Sequence, residues 1–139
     1  MEAFTPFIPL NSDDSGIPTA VIRYRVKNPT DKAVEVSVAG TMANVVGFQG
    51  YDVFNNVKLA DEVQNEYRES GEIKGWYYTA KHLKETDMKF GSMSIAAVGA
   101  KNTYKKQWLH GQWTDNAQDF WDDFTEDGIL DDMQTIESK

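Results

Sequence analysis

The side chains that could do chemistry in this chain of 139 residues are its 22 acidic groups, its two histidines, and aromatic clusters around residues 76–78 and 104–124. Two carboxylates can hydrolyse an acetal when they flank the bond, about 5 to 5.5 Å apart for retention or about 6.5 to 9.5 Å apart for inversion. With 22 acids a pair arises by composition alone, and without a pocket it carries no information. No Gly-x-Ser-x-Gly elbow, phosphate-cradling glycine loop or His-Glu-x-x-His motif occurs. His110 lies between Trp108 and Trp113 in WLHGQW, where an imidazole could bond a hydroxyl. It lacks the partner a catalytic histidine needs, so a structural or solvated role is the simpler reading. Trp76, Tyr78, Trp108, His110 and Trp113 are the candidate substrate-binding residues, because pyranose C–H groups lie well against ring faces. The competing reading is core and sheet surface, since aromatics dominate buried area in ordinary domains. The polar run NSDDSG at 11–16 lacks the Asp-x-Asp-x-Asp-Gly spacing of a calcium loop, so it reads as a turn. Neither a metal nor a cofactor is expected, and no residue is assigned a catalytic role.

The elements that must hold these groups are mostly strands. From Thr19 the chain alternates, with Ala20, Ile22, Tyr24 and Val26 on one face and Val21, Arg23, Arg25 and Lys27 on the other. After Asn28-Pro29-Thr30-Asp31-Lys32 the alternation resumes at Val34, Val36 and Val38. Asn and Pro are turn formers, so residues 19–27 and 33–39 are expected to pair as a hairpin with Tyr24 opposite Val36 and Arg25 opposite Glu35. The run 4–10 is broken by Pro6 and Pro9 and is expected to be extended at an edge. Gly47 and Gly50 mark a loop. Leu59, Val63 and Tyr67 recur at a spacing of four, which allows a short helix. Residues 72–79 read as a strand with a possible bulge near Gly71 and Gly75, and residues 92–98 and 103–109 as a second hairpin.

The period changes once more near the end. Ala117, Phe120, Trp121 and Phe124 fall on one stripe of a helix within 116–124, which Thr114, Asp115 or Asn116 can cap and Gly128 can end. Asp119, Asp122 and Asp123 lie off that stripe and are expected in water. Between Asp115 and Glu137 there are nine acids and no Lys or Arg. The run is either a docking or cation surface or, more simply, a solvated face. Residues 131–139 lose all periodicity.

The run PFIPLNSDDSGIPTAVIRYRVKNPTDKAVEVSVAG, with Asn44 and Gly47 soon after, closely resembles the N-terminal domain of glycoside hydrolase family 116. Two further segments echo the family in its order, GSMSIAA at 91–97 and the Phe120-Trp121-x-Asp123-Phe124-x-x-Asp127-Gly128-x-Leu130 pattern. The family includes non-lysosomal glucosylceramidases, enzymes of sphingolipid metabolism, and bacterial and archaeal β-glucosidases. The resemblance implies one domain over 1–139, part of an N-terminal β-sandwich that precedes a catalytic (α/α)6 barrel absent here. It implies an incomplete antiparallel all-β sandwich with one or two short helices. Both catalytic carboxylates would belong to the barrel, so the parent would be the glycoside hydrolase and this chain alone inactive. The expected partner is that C-terminal catalytic domain, with Phe120, Trp121 and Phe124 as candidate interdomain contacts and carbohydrate or glycolipid met through the parent enzyme.

Composition sets the remaining bounds. A chain of this length can bury a core without staples, and with no cysteine its stability must come from packing. The 22 acidic and 14 basic residues give a formal charge of −8, which argues against nucleic acid or an anionic membrane as partner. The apolar runs are far short of the roughly 20 residues of a membrane helix, and the start lacks a basic region followed by an apolar stretch. The compartment is left open by the sequence, with the cytoplasm slightly favoured. If strand edges are left bare, self-association through them is expected. The alternative to a scaffold for a catalytic barrel is a free-standing β-sandwich that binds carbohydrate through its Trp and Tyr residues.

Overall fold

The computed structural model describes residues 1–60, 62–109 and 114–132. It is mostly antiparallel sheet, one sheet of two strands and one of three, with two short helices, consistent with the expected incomplete all-β sandwich. The chain divides into two compact units, Met1–Glu35 and Val36–Lys139.

In the first unit, β1 (Glu2–Phe4) pairs antiparallel with β2 (Val21–Arg23), Glu2 opposite Arg23 and Phe4 opposite Val21. Arg23 Nη1 sits 3.3 Å from Glu2 Oε2, and its guanidinium lies 5.8 Å from the centre of the Phe4 ring. The ladder stops before Pro6, which has no N–H to donate. The polar run at 11–16, expected as a turn, winds into one turn of helix. Asn11 caps the single-turn helix α1 (Ser12–Ser15), its Oδ1 accepting the Asp14 N–H at 3.1 Å and its Nδ2 donating to Asp14 Oδ2 at 2.6 Å.

The expected hairpin between 19–27 and 33–39 does not form. Among the described residues β2 pairs with β1 instead, and residues 24–43 lie outside any strand. The turn itself is in place: Asn28 Oδ1 accepts the Thr30 N–H at 2.9 Å and Asn28 Nδ2 donates to Lys32 O at 2.6 Å. What is missing is burial. Tyr24, Val26, Val34, Val36 and Val38 are each more than half exposed, so neither alternation gains from pairing, and a two-stranded ribbon with no layer against it is marginal.

The second unit is built on one sheet in the order β3 (Val63–Ser70), β4 (Ile73–Ala80), β5 (Met93–Val98). The short helix allowed at 59–67 is a strand over most of that range. Val63 and Tyr67 are four apart, which suits period two as well as period 3.6, and Asn65 between them completes the alternation. Gly71, at φ 60°, begins the two-residue turn into β4. No bulge occurs at Gly75, because both its ladders run unbroken. Gly75 is needed for closeness: a Cβ there would stand 2.1 Å from Ile95 O and 2.5 Å from Ala96 Cα.

The second expected hairpin is also corrected. β5 pairs with β4, Trp76 opposite Ile95, and residues 103–109 form no strand among those described. They fold across the sheet, where the Tyr104 ring stacks on Tyr67 at 3.9 Å and meets Trp76 edge-on at 5.2 Å. Capture of one ring by two others outweighs the weak alternation of that segment. The final helix is present and longer than the stripe required, α2 (Asp115–Asp127), closed by Gly128 at φ 74° whose N–H donates to Phe124 O.

Candidate functional site

Asn44, Val46 and Tyr78 are among the buried residues described in the second unit. Asn44 is 6% exposed, and its amide is the junction of the unit. Nδ2 lies 3.1 Å from Gln64 O, 3.0 Å from Asn65 Oδ1 and 2.9 Å from Thr79 O, while Oδ1 accepts the Val46 N–H at 3.1 Å. An amide has two hydrogens for those acceptors, so one bond is shared. Asn65 carries the network on, donating to Lys106 O at 3.3 Å, and Lys106 N–H donates to Asp132 Oδ1 at 3.1 Å. Gly47 follows at φ 75° with Ala60 Cβ only 2.7 Å from where its own Cβ would be, so the loop closes only around a glycine.

The candidate substrate-binding residues fall into two places. Trp76 packs edge-on to Tyr67 at 5.5 Å and Tyr78 is 5% exposed in the same sheet, its phenol pushed up in pKa by burial. Trp108 lies elsewhere, edge-on to Phe120 at 5.2 Å with its indole N–H donating to Thr41 Oγ1 at 3.0 Å. His110 and Trp113 lie outside the described residues. Of the candidate interdomain contacts, Phe120 and Phe124 stack at 5.3 Å and are half-buried, whereas Trp121 is 59% exposed.

Beside Trp108 the acidic stripe of α2 departs from expectation. Asp119 and Asp123 are not in water: their side chains are 18% and 17% exposed and face Lys105, itself 6% exposed. Lys105 Nζ is 2.8 Å from Asp119 Oδ2 and 3.5 Å from Asp123 Oδ2, although no hydrogen bond to that Asp119 oxygen is well aligned. Burial pulls the Lys105 pKa down, but the two carboxylates outweigh it and the ammonium titrates above its ordinary range. Asp122 is exposed, as the stripe requires. The run is therefore partly compensated, by a cation from another segment.

The carboxyls with a clear displacement are all lowered, Asp52 by the Asn56 side chain, Glu62 by Lys81 and then His82, and Glu66 by Arg68. A general acid near neutrality needs the opposite displacement. A shallow cleft of about 350 Å³ between Val45, Phe48, Lys89, Ser92 and Met93 contains none of the candidate substrate-binding residues.

A family model described as beta-glucosidase 2, glycosyl-hydrolase family 116 N-term, matches residues 1–139. The chain belongs to that family. No curated protein matches the chain significantly. Within the family 116 N-terminal domain, Asn44 and Gly47, which carried part of the resemblance, have structural work: one ties the loop to two strands and the other lets it close. Lys105 escaped the sequence reading because it stands there only as one position of the strand expected over 103–109, with no partner assigned to it. The absence of any base across Asp115–Glu137 was the available signal that a cation from elsewhere would be drawn in.

Proposed function

We propose that this polypeptide is the non-catalytic part of a β-glucosidase or glucosylceramidase of family 116, a single N-terminal domain that folds against and positions a catalytic barrel. The observation that carries the reading is the family match over residues 1–139. The aromatic rings support it: Trp76 is engaged with Tyr67 and Tyr104, Trp108 with Phe120 and Thr41, and Tyr78 is buried, as parts of a scaffold. Trp121, exposed on α2 beside half-buried Phe120, is the side chain this reading assigns to the interdomain contact. Glucosylceramide is the substrate class of one branch of the family, and the parent enzyme would meet it in the barrel.

The test has two arms. The purified polypeptide is incubated with an activated aryl β-glucoside, and no turnover is expected. Turnover that vanishes on substituting Glu35, Glu62, Glu66 or Asp123 would place an active site here and defeat the reading. In the polypeptide that carries both domains, Trp121→Ala is expected to leave KM unchanged and to speed thermal inactivation several-fold. A weaker retention on immobilised glucan after Trp121→Ala, with heat lability unchanged, would favour a carbohydrate-binding module instead.

A further inference from the structure

We propose that the free edge of β5 is a strand-pairing site that takes a second copy of this chain, joining two three-stranded sheets antiparallel into one. Gly99 N–H donates to Glu72 O at 3.0 Å, in the same register as Ile73 opposite Val98. Hydrogen-bonded pairs alternate along an antiparallel ladder, so the backbone groups of Met93, Ile95 and Ala97 turn toward β4 and those of Ser94, Ala96 and Val98 turn outward. Among the described residues no backbone or side-chain group bonds to those outward positions, and all three residues are exposed. The strand itself also lacks the sequence devices that normally protect an edge. Residues 93–98 contain no charge, no proline and no bulge.

The opposite edge differs. β3 carries Glu66, Arg68 and Glu69, and Asn65 on it donates to Lys106 O at 3.3 Å, so charge and a crossing segment guard it. Those contrasts select the occupant. In a molecule of formal charge −8 most surfaces repel a second copy, and β5 is an uncharged strand whose partner strand would be equally uncharged. A two-fold axis through Ala96 sets Ser94 against Val98 of the second copy, so the outward donors and acceptors of each meet those of the other. It also continues the face that carries Tyr67, Trp76 and Ile95 without turning it over. A contact of one short strand is small, which predicts a weak, concentration-dependent dimer. The inference does not depend on docking to a catalytic domain.

Sedimentation velocity across a micromolar to sub-millimolar series is expected to show a monomer–dimer equilibrium. The double substitution Ser94→Lys with Val98→Lys sets lysines opposite one another and is expected to raise the dimer dissociation constant at least tenfold, with circular dichroism and thermal midpoint unchanged. The matching glutamate pair should dissociate the chain likewise, and an equimolar mixture of the two variants should associate again. A wild-type chain that stays monomeric throughout, a dimer indifferent to both pairs of substitutions, or a mixture that fails to associate would each overturn the proposal.

Discussion

At the scale of single residues, this molecule turns on positions where one atom decides the packing. Replacing Asn44 by Ala removes the partner of the Val46 N–H and of Asn65 Oδ1 and takes a second hydrogen bond from the ladder carbonyls Gln64 O and Thr79 O, in a dry part of the unit. Each buried polar group left unmet costs about 1 to 3 kcal/mol, so a loss of about 2 to 4 kcal/mol is expected from urea denaturation. Gly75→Ala puts a methyl where Ile95 O already stands, and overpacking of this kind costs about 1 to 3 kcal/mol or more. Gly91→Ala, with open space around it, serves as the control and should shift the midpoint little. A Gly75→Ala chain as stable as the control would mean that β4 and β5 separate more freely than their ladder indicates. Neither residue's role was legible beforehand. A glycine in a strand announces closeness or a bulge without saying which, and Asn44 looked like part of a loop, because hydrogen bonds spanning 20 and 35 residues leave no local trace.

Among the elements, α2 was the most legible and also the most misread. Its apolar stripe fixed the period, and Gly128 fixed its end. The positions between were assigned to water because a stripe says which face is apolar and nothing about what approaches the flank. Lys105→Met leaves Asp119 and Asp123 facing no cation; removing one partner of a fully buried pair costs about 3 to 5 kcal/mol, and these groups retain some solvent, so about 2 to 3 kcal/mol is expected. The sign of the pH effect follows from the raised folded pKa. The Lys105 contribution is fully present below the ordinary lysine value of 10.5 and is lost as pH rises through the folded value above it. Fluorescence of Trp108 and Trp121 should therefore report release of α2 at strongly alkaline pH in the wild type, and no further change there in the Lys105→Met chain. The strands were misjudged for a related reason. Val63 and Tyr67 satisfied two periods at once, and the alternation in 103–109 was real but overridden when Tyr104 stacked on Tyr67.

The whole molecule is unevenly held, and that unevenness is itself testable. In Met1–Glu35 the ladder joins strands of three residues each, the ion pair across it is exposed, and no described residue is buried. In Val36–Lys139 an eight-residue strand is paired along both sides, aromatic rings interlock over it, and the Asn44 network ties loop to sheet. Opening free energy follows burial and the number of backbone bonds that must break together, so the first unit belongs at the low end and the centre of β4 at the high end. Hydrogen exchange read by mass spectrometry should show amides of residues 1–35 exchanging at rates close to those of an unstructured chain. Amides of Trp76, Tyr77 and Tyr78 should exchange slowest of all, at rates that track global unfolding in low denaturant. Binding of whatever covers Ile22, Tyr24, Val26 and Val34 would slow exchange in the first unit alone. Protection that is equal in the two units of the isolated chain would show instead that they unfold as one cooperative body, and that the apolar alternation through residues 20–38 is already buried in solution.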